Sequence, residues 1–556
     1  MTSSAVDLSA DDTPDLRKAR GAFFTPDDIT AFIAQWAIRS AHDRVLEPSA
    51  GDAAFLVAAV ERLRRLSSEP DAVPEVHGVE IHEHSATVGR DRVHRAGGRA
   101  CIRVQDFFDA EPAPAYAAVI GNPPYVRYHG WTGEARAKSR AAALRAGVSL
   151  TGLASSWAAF TVHGAQFLRD GGRLGLVLPA ELLSVNYAAP VRRFLFAHFS
   201  HVELVLFDEQ VFPDADTDVV LLLADGFRRG PTDHAVIHQA RNTRDLIRLA
   251  DGQRWSPDDP AGKWTGSLVS PTATKPLSRL TELGLFTRLQ EWGETTLGMV
   301  TGSNHYFTLT PAQVRELDLP REELLQLSPP GSAHLRGLVL SPGMLARLGD
   351  EGKATYLFYP GDTLSPQAQA YVDAGHRTGV DKAYKCRVRK PWYRVPLVRP
   401  ADLLLTCMNA DTPRLTTNTA RAHHLNSVHG VYLDGRHRDL AAELLPLASL
   451  NSLTLLSAEM VGRAYGGGIL KIEPREADDW AMPSATLVGA AADELRAVRG
   501  RVAELLEAGR LLDAVQIVDE TLLLQSERLT RTELDGVRRA RDELARRRKV
   551  RSQGVR

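Results

Sequence analysis

Apolar positions in the first two-fifths of the chain fall in short runs, several of them closed by a small or acidic residue. Such runs occupy residues 44–47, 77–80, 101–104, 117–120, 173–178, 202–206 and 218–223. Between several of them the apolar spacing changes to three and four, as over residues 55–66 and 157–169, which predicts helices. Strands alternating with helices predict an α/β fold with a largely parallel, doubly wound sheet. Such sheets bind ligands at the carboxyl ends of their strands.

The rhythm divides the chain. Residues 1–18 are polar and acidic and are expected to be disordered. The alternating pattern spans 19–227, the catalytic-domain candidate. Residues 228–290 are rich in Pro, Asp, Gly and Thr and read as a connecting region. Short strands without a clear repeat follow over 291–483. Residues 484–556 form a helical segment, with Leu495, Val498, Val502 and Leu505 on one face. Its basic end, 546–551, reads as a solvated helix terminus.

Composition narrows the class. Hydrophobic residues make up 44% and charged residues 24% of 556 positions, as in a soluble multidomain protein. The three cysteines, Cys101, Cys386 and Cys407, are too few and too scattered for a disulfide framework or a closed zinc site, so no metal is expected. A reducing, cytoplasmic setting fits. The N-terminus has neither a basic nor an apolar leader region, and no apolar run is long enough to span a membrane. The net charge of −1 does not by itself point to nucleic acid, although DNA responds only to the surface that faces it.

Candidate chemistry sits at the predicted strand ends. Glu47-Pro48-Ser49-Ala50-Gly51-Asp52 places a tight turn between a strand and a helix, which allows close backbone approach to a ligand. Its spacing is not that of a dinucleotide fingerprint. Glu80 ends the second strand and Asp106 follows the third. Carboxylates there suit hydrogen-bond donors such as ribose hydroxyls and an exocyclic amine.

Asn122-Pro123-Pro124-Tyr125 follows the fourth strand. An aromatic amine is a poor nucleophile because its lone pair is delocalised into the ring. The Asn122 side-chain carbonyl and the Pro123 backbone carbonyl can each accept one N–H of such an amine, stabilising the positive charge that develops on attack. Two prolines fix the loop in advance. Tyr125 offers a face for base stacking, worth about 1–3 kcal/mol. A methyl group can then pass from sulfonium to nitrogen without a covalent enzyme intermediate, provided the two are held in line.

In this order the motifs resemble the gamma-class, TaqI-like adenine-N6 DNA methyltransferases of restriction-modification systems, over nearly the whole chain. The resemblance implies a Rossmann-like domain dependent on S-adenosyl-L-methionine (SAM), a mixed α/β target-recognition domain and a helical C-terminal segment. By the same resemblance, Phe24-Thr25-Pro26 closes over the methionine part of SAM. Glu47, Pro48, Ala50 and Gly51 form the cofactor turn, where the family often has a second glycine in place of Ala53. Glu80 binds the ribose, Asp106-Phe107 grips the SAM adenine and Phe160 packs on it. Asn122 also borders the cofactor. Phe212, in the segment Val211-Phe212-Pro213-Asp214-Ala215, forms a second wall beside Tyr125 for a flipped adenine in double-stranded DNA. A cognate restriction endonuclease would act separately.

Beyond residue 290, Lys385, Arg387, Arg389, Lys390, Trp392 and Arg394 mix basic and aromatic side chains, with Lys382, Tyr384 and Tyr393 among them. That mixture suits a phosphate backbone plus stacking. The stretches 301–307 and 464–468 resemble pieces of the family's recognition domain. Enzymes that methylate RNA or a protein glutamine share the loop, but their chains are typically shorter. A combined restriction-methylation enzyme would need a nuclease carboxylate cluster, of which Glu351-Gly352-Lys353 is the only hint. Too few residues precede Ala22 for an N-terminal nuclease domain.

Overall fold

The computed structural model describes residues 25–553 except 70, 127–129, 131–132, 213–218, 258 and 526. The expected disordered stretch 1–18, Phe24, and Pro213, Asp214 and Ala215 lie outside the described residues. Contacts divide the chain into two units, Met1–Leu268 and Val269–Gln553.

The first unit is built on one nine-stranded sheet. Its strands are β1 (Val45–Glu47), β2 (Glu75–Glu80), β3 (Arg99–Val104), β4 (Tyr116–Gly121), β5 (Leu168–Pro179), β6 (Phe199–Phe207), β7 (Val219–Phe227), β8 (Ala235–Ala240) and β9 (Gln253–Trp255). Their order is β3-β2-β1-β4-β5-β7-β6-β8-β9. β1 to β5 run parallel, and β7 enters antiparallel between β5 and β6. The helices α1 (Asp27–Ala37), α2 (Ala54–Leu66) and α3 (Glu83–Arg95) cover one face. The other face is covered by α4 (Gly133–Arg145), α5 (Ser156–Ala165) and α6 (Ala189–His198). Burial on both faces explains why the central strands are continuous apolar runs rather than alternating ones. All six residues of β4 are buried. α1 presents Ile29, Ile33, Ala34 and Ala37 to the sheet, the stripe expected of a helix with one buried face.

Two expectations are corrected. The helix read over 157–169 ends at Ala165, because Leu168 opens β5 and pairs with Tyr116. Within the supposed connecting region, β8 pairs in parallel with β6 and β9 pairs with β8. Trp264 anchors this segment, fully buried with its ring centroid 4.9 Å from that of Phe196.

The second unit holds a four-stranded antiparallel sheet, in the order Gly293–Leu297, Val428–Leu433, Leu403–Thr406, Leu415–Thr417. Shorter sheets and helices surround it, and the chain closes on helices Ala492–Glu507, Leu511–Asp519 and Arg531–Gln553. The basic end of the last helix is not simply a solvated terminus. Arg548 is only 4% exposed, ion-pairs with Glu459 at 2.7 Å and donates to the carbonyls of Asp411 and Gly468. Its partners are far away in sequence, so the charge run alone could not reveal them. Among the described residues no single helix is long and apolar enough to cross a membrane.

Candidate active site

Four strand ends supply the site. Glu47 closes β1, Glu80 closes β2, Asp106 follows β3 and Asn122 follows β4. β1 and β4 are the neighbours from which the chain winds outward in opposite directions, which is where open α/β sheets leave a crevice.

The turn after β1 is held from β2: Ala50 N donates to Val79 O at 2.8 Å. Gly51 takes φ +50°, and a Cβ there would meet nothing within 4 Å, so the turn is an open cradle. Gly51 N donates to Glu80 Oε2 at 2.8 Å and His82 N to Glu80 Oε1 at 2.9 Å. Glu80, expected to bind a ribose, thus also braces the turn. Ala53 stands at φ 64°, ψ 31°, a left-handed geometry that costs an L-residue roughly 1–2 kcal/mol. Glycine adopts that conformation without this cost.

Glu47 is 3% exposed, and among the described residues its Oε2 has no hydrogen-bond partner. Burial first, then the nearby Asp52 and Glu80, push its carboxyl well above the usual range. Asp52 is ion-paired with Arg92. The cradle therefore contains a desolvated acid that a cationic or hydrogen-bond-donating ligand would satisfy.

On the far side, Asp106 Oδ1 accepts from Phe108 N at 2.9 Å and caps the turn Phe107–Asp109. Phe107 stacks on Phe160, centroids 5.4 Å apart at 13°. His163 lies beneath them, its Nε2 3.2 Å from both Phe107 O and Ala110 O. Burial, with Arg145 adding to it, lowers its pKa to about 4. The ring is therefore neutral at pH 7, and Nε2 carries the proton that these carbonyls accept.

The loop after β4 is tied on several sides. Asn122 Nδ2 donates to Thr25 Oγ1 at 3.1 Å, and Asn122 Oδ1 accepts from the Tyr125 hydroxyl at 2.7 Å. The Tyr125 hydroxyl also lies 3.1 Å from Val177 O. Burial of that hydroxyl raises its pKa well above 10, so it remains a donor at pH 7. The rest of Tyr125 is only partly buried and touches the apolar clusters on both faces of the sheet. Ser156 Oγ accepts from Val126 N at 2.9 Å and donates to Pro124 O. Pro26, beside Thr25, starts α1.

The structure thus gathers Thr25, Glu47, Gly51, Glu80, Asp106, Phe107, Asn122, Tyr125 and Phe160 along these strand ends. Phe212 differs: at 4% exposure it packs in the α1–α3 core and offers no open face in this conformation. Pattern reasoning missed Ser156 and the Thr25–Asn122 bond. The Ser155-Ser156 pair reads only as a helix start, since the loop it grips lies 30 residues earlier.

In the second unit the stretch 301–307 and the basic segment come together. Arg389 donates to the carbonyls of Val300 and Thr301. Gly302, at φ +89°, passes so close that a Cβ would lie 2.9 Å from Lys385 Cβ. Arg394 pairs with Asp362 at 2.7 Å, and Trp392 packs on Tyr306 while donating to His376 Nε2 at 3.0 Å. Lys385, Arg387 and Lys390 are exposed. Tyr384, 66% exposed, has Lys385 Nζ 5.7 Å and Arg387 Cζ 5.9 Å from its ring centroid. Cys407, His429 and Glu473 also converge, with ligand atoms within 4.8 Å of one another. Glu473 is ion-paired with Lys471, and His429 Nε2 contacts Ile472 O.

Residues 11–245, which carry all these strand ends, match the family model for N-6 DNA methylases. This stretch is similar to the methylase domain of that family. Residues 261–523 match a second model, the C-terminal domain of the Type II methyltransferase M.Eco57I. It is 27% identical to the Type II methyltransferase M.XamI of Xanthomonas campestris pv. amaranthicola, over 84% of this chain and 85% of the relative. It is 22% identical to M.AccI of Acinetobacter calcoaceticus, over 83% and 84%. Among solved structures it is similar in fold to the Type IIL restriction-modification enzyme MmeI, with a TM-score of 0.58 and 11% identity over 93% of this chain and 75% of that one. The methylase is an enzyme, an adenine-N6 DNA methyltransferase. The match to this methylase model implies SAM as methyl donor. The unpartnered Glu47 oxygen and the open Gly51 turn fit such a cation-bearing, donor-rich molecule.

Proposed function

We propose that this methylase follows the TaqI-like scheme, with direct transfer to an adenine turned out of double-stranded DNA. The observation that supports it best is the Asn122 amide, oriented by Thr25 and Tyr125 beside the Glu47–Gly51 cradle. Thr25, Pro26, Glu47, Pro48, Ala50, Gly51, Glu80, Asp106, Phe107 and Phe160 would hold SAM, which when bound supplies an electrophilic methyl group on a sulfonium. Among the described residues Glu47 Oε2 has no partner, and it would gain a donor from SAM. Asn122 Oδ1 and the Pro123 carbonyl accept the two N–H groups of the target amine. Thr25, by engaging Nδ2, keeps Oδ1 turned to the substrate. The Tyr125 hydroxyl occupies Oδ1 beforehand, so the amide stays oriented and the amine joins or displaces one existing bond. The Tyr125 ring stacks on the base.

In the second unit the exposed cations Lys385, Arg387 and Lys390 contact phosphates, whereas Arg389, Trp392 and Arg394 shape the segment that carries them. The protein's role would be to protect host DNA in the bacterial cytoplasm beside a separate nuclease, a reading in keeping with relatives named Type II methyltransferases.

The test incubates the protein with labelled SAM and separate pools of duplex DNA, RNA and release factor. A second arm places 2-aminopurine at the mapped target. Label in DNA at adenine N6, with a fluorescence rise on binding, is expected; an unchanged signal at a methylated site would remove the turned-out base from the mechanism.

A further inference from the structure

The two prolines of the catalytic loop fix φ at residues 123 and 124, but ψ of Pro124 and both dihedrals of Tyr125 remain free. Ser156 lies where it can set them. It is 1% exposed, at the first position of α5. Its hydroxyl accepts from Val126 N at 2.9 Å and donates to Pro124 O, while its own N–H donates to Val126 O at 3.1 Å. One residue therefore brackets Tyr125 from both sides. Pro124 offers a carbonyl and Val126 an N–H, so the side chain between them must donate and accept at once, which a hydroxyl does and a methyl group cannot.

We propose that Ser156 is a positioning residue for methyl transfer, which locks the exit of the Asn122–Tyr125 loop as the prolines lock its entrance. Phe160 stands one turn further along α5 and stacks on Phe107. The helix that holds the target-base loop thus also carries the aromatic wall assigned to the cofactor adenine. Ser156 acts through backbone geometry and touches neither reactant. The inference rests on the reading of Asn122 to Tyr125 as the catalytic loop.

Ser156→Ala is expected to lower the single-turnover rate on DNA about 10- to 100-fold, the loss that follows from a small misplacement of reacting groups. The Kd for SAM and the KM for DNA should stay within threefold. Ser156→Cys keeps the size with weaker hydrogen bonding; it should lose three- to tenfold and serves if the alanine variant does not fold. A wild-type rate in either folded variant overturns the proposal. So does a rate that falls only in step with SAM binding and melting temperature. Asn122→Ala, measured alongside, separates the two levels: if it too keeps its rate, the loop reading fails; if only the Ser156 variants do, the clamp fails alone.

Discussion

Replacing Glu47 by Gln should move stability and cofactor binding in opposite directions. The carboxylate is buried with one oxygen unpartnered, next to Asp52 and Glu80, and its pKa is raised. A carboxyl whose folded-state pKa lies above its unfolded value favours folding while protonated. That contribution is full below the unfolded value, near 4.5, and is lost as pH rises through the folded value. Above the unfolded value the ligand-free protein therefore forgoes part of that contribution, whereas a glutamine, which does not ionise, forgoes none. An unsatisfied buried polar group costs about 1–3 kcal/mol. At about 2–4 °C per kcal/mol for a unit of this size, Glu47→Gln should raise the melting temperature of the ligand-free enzyme by roughly 2–12 °C near pH 7.5. The gain should shrink towards pH 5. A hydrogen bond to a charged group contributes about 1.5–3 kcal/mol, so SAM affinity should fall by about 10- to 150-fold. Scanning fluorimetry from pH 5 to 8 and calorimetric titration with SAM read the two effects. A variant that melts lower than wild type at pH 7.5, or binds SAM unchanged, would refute the assignment of Glu47 as an acid awaiting a donor.

Asn122→Ala should lower the single-turnover rate at least about 100-fold, the loss typical for an oriented transition-state partner, with the Kd for SAM within threefold. Arg548→Met leaves Glu459 buried and unpaired and should cost about 3–5 kcal/mol, read as a lower urea midpoint. Adding Glu459→Leu should recover much of that loss. Replacing both Lys385 and Arg387 by Gln should reduce the slope of log affinity for DNA against log salt by about 2, while Arg394→Gln, whose guanidinium is already paired, should leave it unchanged.

Much of the first unit was legible because its chemistry lies where the pattern breaks. Strands such as β4, buried on both faces, leave continuous apolar runs, and Glu47, Glu80, Asp106 and Asn122 stand at their ends. β8 and β9 were hidden, since Pro, Gly and Asp dominate around them and Trp255 and Trp264 hold them by contacts that no local period encodes. The basic segment was read from composition alone. Composition cannot separate Arg387, which is exposed, from Arg389, which holds the carbonyls of Val300 and Thr301. Phe212 was placed by resemblance alone, and in this conformation it is 4% exposed within the core. Ser156 and Thr25 act through bonds spanning 30 and 97 residues, which a pass along the chain does not link.

Ala53 has a practical consequence for recognising related chains. At residue 53 the cofactor turn takes φ 64°, a backbone that glycine adopts most readily and that an alanine holds here. A search pattern that insists on glycine there would discard this enzyme, although its turn has the required shape. A pattern that accepts any small side chain able to hold that geometry would keep it. Sequences set aside for lacking that glycine are therefore worth sorting again by the strand-end acids and the Asn-Pro-Pro-Tyr loop.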